Sequence, residues 1–226
     1  MTDSATPEVF AKTTNYLKVA DELRRDIVGG VLKSGERLKM HDLAARYSVS
    51  SQPVREALQL LQGEGLVVLE PNRGAHVRGL DVNRLRHIYE LREAIEGAMS
   101  RRFAEEAAMS DIRKLEAIQA RHDAAIEARD IEAVDKANLE FHQLIVDHSG
   151  NEEAIALRDR YFSLTHSLRH RFGYTDTRWT AVRDDHHDLL EAFRKRDGMA
   201  AYAVASAHVR MTLEELLRLV ADEDAA

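Results

Sequence analysis

Three histidines and one asparagine are spaced so that a helical fold could bring them together. In the segment NLEFHQLIVDHSG, Asn138 and His142 lie four residues apart and share a helix face with Val134 and Ile145. His186 stands three or four residues from Val182, Leu189 and Leu190, and His208 stands likewise against Val204 and Met211. Both imidazoles are therefore expected to face an apolar interior. Three imidazoles and a carboxamide from three helices can converge in a bundle core, a usual place for a metal site. Neutral imidazole suits Zn, Ni, Fe or Mn, and such a donor set leaves positions open for water or a small ligand. His122, between Ile118 and Ile126, reads instead as a hydrogen-bonded core residue. His148, His166, His170 and His187 show no spacing that assigns them a partner.

A second group of residues could read nucleic acid. The segment SVSSQPVREALQLLQGEG is a serine-rich turn followed by a helix with Pro53 in its first turn, where the missing N–H costs little. Val54, Leu58 and Leu61 form its apolar stripe, and Gly63 and Gly65 end it. Ser51, Gln52 and Arg55 are left at its outward N-terminal end, the part that a recognition helix presents to base edges in the major groove. Arg55 can fork onto guanine and Gln52 can pair with adenine. Arg73, beside Gly74 in a PNRG loop, suits a minor groove or a phosphate, while Lys39 and His41 suit backbone contacts.

The elements that must position these groups follow from the surrounding pattern. YLKVADELRRDIVGG carries Val19, Leu23 and Ile27 at helical spacing and stops at Gly29-Gly30. KSGERL reads as a turn around Gly35, and MHDLAARY as a short helix with Leu43 and Tyr47 four apart. LVVLE and AHVRG flank the PNRG loop as two short β-prone runs, a hairpin signature. Three helices and a hairpin make a winged helix-turn-helix over 15–79, after a flexible tail over 1–14.

All three prolines lie in the first 71 residues, and the rest of the chain has none. That remainder, 80–226, shows 3.6-residue periodicity in about six helices: 81–109, 110–128, 131–148, 151–171, 177–196 and 198–221. The breaks are expected at Ser110-Asp111, Asp130, Ser149-Gly150, Gly173 and Asp197-Gly198. Short connections imply antiparallel neighbours in a bundle. The fold class is thus mainly α.

Composition bounds the function. The 226 residues suffice for two compact domains of roughly 100–150 residues each. The chain is 44% hydrophobic and 31% charged, which suits a globular protein with a real core. With no cysteine, disulfides, thiolate metal sites and cysteine nucleophiles are excluded. No uncharged apolar run approaches the ~20 residues of a membrane span, and the N-terminus lacks a secretory pattern. A cytoplasmic location is expected. The net charge of −7 is uneven: residues 1–79 carry 11 Lys+Arg against 10 Asp+Glu, and the rest carries 21 against 29. A near-neutral first part and an acidic second part suggest two tasks on one chain.

The first of these parts resembles the DNA-binding domain of the GntR family of bacterial transcription regulators. PVREAL, EGLV and the P-x-R-G-A-x-V wing carry the likeness over about 60 residues. One departure stands out: the family usually has Ser-Arg-Thr before PVREAL, and this chain has Ser50-Ser51-Gln52. The second part resembles the FCD ligand-binding domain of FadR-type regulators, in the six-helix VanR-like branch. The matching stretches are LREAIEGAMSRRFAEEAA, NLEFHQLIVDHSGN, HHDLLEAFRKRD and AHVRMTLEEL. In metal-containing members a D-x-x-x-H pair and two later histidines hold a divalent ion. Those positions fall on Asn138, His142, His186 and His208, with Asn138 standing in place of the aspartate.

The resemblance implies an effector-controlled transcription regulator, most often a repressor, acting as a homodimer on a twofold double-stranded DNA operator. A small anionic metabolite would bind in the bundle, with Arg92 and Arg169 as inward-facing candidates to grip its carboxylate. A metal-dependent hydrolase on the three-histidine bundle is the alternative. It lacks a glutamate base in an H-E-x-x-H arrangement, and a DNA-reading head would be idle in it. An architectural DNA-binding protein would leave the acidic helical half without a task.

Overall fold

The computed structural model describes residues 7–70, 74–78, 82–161 and 176–224, with 7–14, 176–177 and 221–224 described by backbone alone. The described residues fall into two compact units, one before Val82 and one from Val82 onward.

The first unit holds helices α1 (Pro7–Val28), α2 (Met40–Arg46) and α3 (Ser51–Gly63) and a three-stranded antiparallel sheet. The sheet order is β1-β3-β2, with β1 at Arg37–Leu38, β2 at Val67–Glu70 and β3 at Gly74–Val77. Helix α1 starts at Pro7, eight residues before the expected boundary at residue 15. A proline fits the first helical position because the N–H it lacks has no partner there in any helix. Strand β1 is a second departure, since KSGERL reads as a turn alone. Gly35 makes that turn at φ +76°, its N–H donates to the Val77 carbonyl, and Arg37 then pairs with His76. Two residues are too few to show an alternating pattern. Gly74 is not in the loop but in the ladder, paired with Glu70 at φ +92°, a left-handed conformation that favours glycine.

Val19, Leu23 and Ile27 of α1 and Val54, Leu58 and Leu61 of α3 are buried together, as their spacing predicts. Charge fixes the rim of this core. Arg24 forks onto both oxygens of Glu64 at 2.8 and 2.6 Å, and Tyr47 donates to Asp26 at 2.7 Å.

Among its described residues the second unit is helical: α4 (Val82–Glu106), α5 (Met109–Ala128), α6 (Ile131–His148), α7 (described over 152–161), α8 (Asp176–Arg194) and α9 (Gly198–Asp224). The first break falls at Ala107–Ala108 rather than at Ser110-Asp111, because Ala108 is extended (φ −71°, ψ 155°) and caps α5. A residue far along the chain stabilises that break: the Arg196 guanidinium donates to the carbonyls of Ala104 and Ala107. Asp130 caps α6 through the Ala133 N–H, and Asn151 caps the next helix through the Ala154 N–H at 3.1 Å.

Helices α4 and α9 run antiparallel, since Glu93 pairs with Arg210 while Gly97 faces Ser206 and Gly198 lies against Arg101 and Glu105. The core gathers Phe103, Ile112, Leu115, Phe141, Ile145, Leu189, Phe193 and Ala201, all nearly inaccessible. No helix among the described residues is long and apolar enough to cross a membrane.

Candidate functional site

In the first unit, Ser51 and Gln52 open α3 and are exposed, as is Arg55 one turn later. Val54 and Leu58 face the core, so the same periodicity that buries them turns Arg55 outward. Arg55 forms no ion pair or hydrogen bond among the described residues, which leaves its five donors for an external acceptor. Gln52 is less free, because its amide nitrogen donates to Glu56 at 2.7 Å. Lys39 precedes α2 and lies 3.9 Å from Asp42, and His41 is 95% exposed beside the same carboxylate. Arg73 lies outside the described residues, as does Arg169. Ser51, Gln52, Arg55, Lys39 and His41 therefore all lie at or near the N-terminal ends of two consecutive helices.

In the second unit, α6, α8 and α9 bring His142, His186 and His208 together, with one ring nitrogen of each within 4.8 Å of the others. Nε2 of His186 lies 3.3 Å from Nε2 of His142. The His186 ring stacks on Phe141 at 4.2 Å and 7°, which fixes its plane. His186 is inaccessible and His208 is 5% exposed. Burial pushes the His186 and His208 imidazoles well below their usual range, and burial followed by the nearby Arg92 and Arg178 lowers His142. All three are consequently neutral at physiological pH, with lone pairs available to a ligand-accepting centre. Met211, expected to share the inward face of His208, is 44% exposed, and Thr212 is buried there instead. Thr212 lies four residues after His208 and so shares its face, and its hydroxyl donates to the His208 carbonyl at 2.8 Å. Asn138 is half-buried one turn before His142 on α6.

Several groups that spacing does not single out complete the surroundings. Asp185 accepts from His208 Nδ1 at 2.9 Å, and Gln119 Oε1 accepts from His186 Nδ1 at 2.8 Å. Glu96 is buried 3.6 Å from His142 Nδ1. Burial raises the Asp185 carboxyl to about 6. His122 is a core residue with no accessible surface, as expected, but its ring centroid is 5.0 Å from that of His186, so it borders the cluster. Arg178, buried at the start of α8, donates to Thr212 and lies 3.5 Å from Glu215. One sequence signal existed for Asp185, which directly precedes His186. None existed for Gln119, because nothing along the chain links α5 to α8.

Arg92 does reach this region. It is bound to Glu96 at 2.8 Å and lies over the Tyr89 ring at 4.8 Å. Its charge is thus already matched by a carboxylate of its own helix. His187 lies 3.1 Å from Asp123 at the surface, and His148 packs edge-on against Phe103, so neither joins the cluster. His166 and His170 lie outside the described residues.

Comparison with known proteins agrees with both halves. Residues 15–77 match the gntR family of bacterial regulatory proteins, and residues 87–211 match the FCD domain. The chain is 30% identical to the HTH-type transcriptional repressor RspR of Escherichia coli over 211 residues, covering 89% of this chain and 88% of that protein. It is 30% identical to the HTH-type transcriptional regulator YdhC of Bacillus subtilis, covering 90% and 92%. The gluconate operon transcriptional repressor of Bacillus subtilis is 29% identical, covering 83% and 79%. Among solved structures, E. coli McbR/YncC superposes with a TM-score of 0.70 at 21% identity, covering 90% of this chain and 97% of that one. None of these relatives gives support to a hydrolase. An outward recognition helix beside a hairpin, joined in one chain to an FCD bundle, makes this protein a member of the GntR family of transcription regulators, with an N-terminal DNA-binding domain and a C-terminal FCD domain.

Proposed function

We propose that this regulator is a repressor controlled by a small carboxylate-bearing metabolite, which binds in the FCD bundle beside a divalent ion and lowers affinity for a twofold operator. The observation that carries this reading is the convergence of three neutral imidazoles from three helices, two of them buried and that of His142 half-buried. His142, His186 and His208 would hold the ion, with the Asn138 carbonyl as a fourth donor. Two imidazole nitrogens 3.3 Å apart fit the group on chemical grounds. Their lone pairs repel unless a proton or a cation lies between them. When bound, the ion would supply an electrophilic point to which an anion can attach.

The chain's own residues do the rest. Three imidazoles bring no charge, so an anionic effector is favoured at an open position. Arg92, shared with Glu96, is the nearest candidate to orient its carboxylate. In the DNA-binding domain, Ser51, Gln52 and Arg55 would enter the major groove, with Lys39, His41, Arg73 and Gly74 on the backbone and minor groove. A homodimer supplies the second half-site. Effector control requires the metabolite to prefer one conformational state by about 1–3 kcal/mol.

The test is a panel of small carboxylates, each with and without added divalent ion. An active compound should raise the melting temperature and release operator DNA without being consumed. If no compound shifts DNA affinity under either condition, the effector reading fails.

A further inference from the structure

The hydrogen bonds behind the histidines fix more than their orientation. A carboxylate only accepts hydrogen bonds, so the 2.9 Å contact between Asp185 Oδ2 and His208 Nδ1 places the ring proton on Nδ1. A longer chain acts on His186. Gln119 Nε2 donates to Asp123 Oδ1 at 2.7 Å, which fixes the sense of the amide and turns Oε1 toward His186 Nδ1 at 2.8 Å. An amide oxygen also only accepts, so His186 too carries its proton on Nδ1. Asp123 is itself held by His187 at 3.1 Å. Both rings therefore direct a bare Nε2 away from these partners, and that of His186 meets His142.

Charge matters as well. Arg92 is matched by Glu96 at 2.8 Å and Arg178 lies 3.5 Å from Glu215. Asp185 has His208 as its hydrogen-bond partner among the described residues, and the Arg178 guanidinium also acts on its charge. A carboxylate on the far nitrogen of a ligating imidazole raises the basicity of the near one.

We propose, resting on the metal-site reading above, that Asp185 and Gln119 are positioning residues for a divalent ion. They present Nε2 of His208 and His186, and Asp185 supplies from behind the ligands the negative charge that Asn138 does not bring. Charge and orientation are thus divided between two side chains, one on α8 and one on α5.

The experiment uses the full chain, stripped with a chelator, and Co(II) as the probe. Ring-nitrogen NMR of the stripped native protein should show His186 and His208 protonated on Nδ1. Asp185→Asn, which keeps an acceptor but removes the charge, should weaken Co(II) binding about 10–100-fold. The Co(II) absorption band should keep its shape, because the ligands are unchanged. Gln119→Glu keeps the acceptor and adds a charge, so it should bind Co(II) at least as tightly as the native chain. Gln119→Leu should lose the Nδ1 preference of His186. Native Co(II) binding with Asp185→Asn within twofold of it would overturn the inference alone, as would protons on Nε2 of either ring in the native protein. Failure of the native chain to bind Co(II) would overturn the metal-site reading and this inference with it.

Discussion

The residues proposed to read DNA and those proposed to hold a ligand differ in how the fold treats them. Arg55 is exposed and faces away from the Val54–Leu58 stripe, so truncating it leaves the core intact. Arg55→Ala should cost about 1–3 kcal/mol of operator affinity and relax selectivity at one position per half-site. Competition binding against single-base operator variants reads this directly, and a folded variant with full affinity would remove Arg55 from the base contacts. The bundle histidines are the opposite case, since burial holds them neutral. For His122 the imidazole is pushed down to about 4 by burial, against about 6.5 in an unfolded chain. Below about pH 6.5 the unfolded chain takes up a proton that the folded chain refuses. Stability is therefore complete above that pH and falls as pH drops towards 4, by about 3 kcal/mol for this one group. His142, His186 and His208 act in the same direction. Asp185, raised to about 6 by burial, acts oppositely and gains stability as it protonates, but one carboxylate does not offset four imidazoles. Urea midpoints of chelator-treated protein should fall from pH 7 to pH 5, and His122→Gln should flatten that slope. Midpoints that stay level would show that the imidazoles are not held neutral.

Among the helices, α4 and α9 approach each other closely at Gly97. A Cβ there would lie 2.7 Å from Ser206 Oγ and 3.0 Å from the Tyr202 ring. Gly97→Leu should therefore cost about 1–3 kcal/mol through overpacking, measured by denaturant unfolding. Gly63, in α3, is the control: an added Cβ meets nothing within 4 Å. Gly63→Ala should leave stability unchanged or raise it by up to about 1 kcal/mol. Equal effects at both positions would mean that α4 and α9 are not in close contact. The helices were legible because their apolar periods are long and their caps are local, as at Asp130 and Asn151. The Ala107–Ala108 break was not legible. Alanine is a good helix former, and the stop depends on Arg196, some 90 positions away, reaching the exposed carbonyls.

At the scale of the whole molecule, the uneven charge along the chain follows the division of labour. The near-neutral segment carries the recognition helix, and the acidic one carries the bundle with its three imidazoles. By itself the sequence determined the two-part organisation, the helices of the second unit among the described residues, the exposed N-terminal end of α3 and the inward faces of His142, His186 and His208. Each of these depends on local period, turn chemistry or motif, and so can be read within a window of a few turns. Only the tertiary structure decided what lies behind the imidazoles. Helical period states which face turns inward, but not how far each helix is rotated or slid against its neighbour. A hydrogen bond is made or lost within about half an ångström. That is why Gln119 behind His186, Asp185 behind His208 and His122 beside the cluster appear only once the helices are packed.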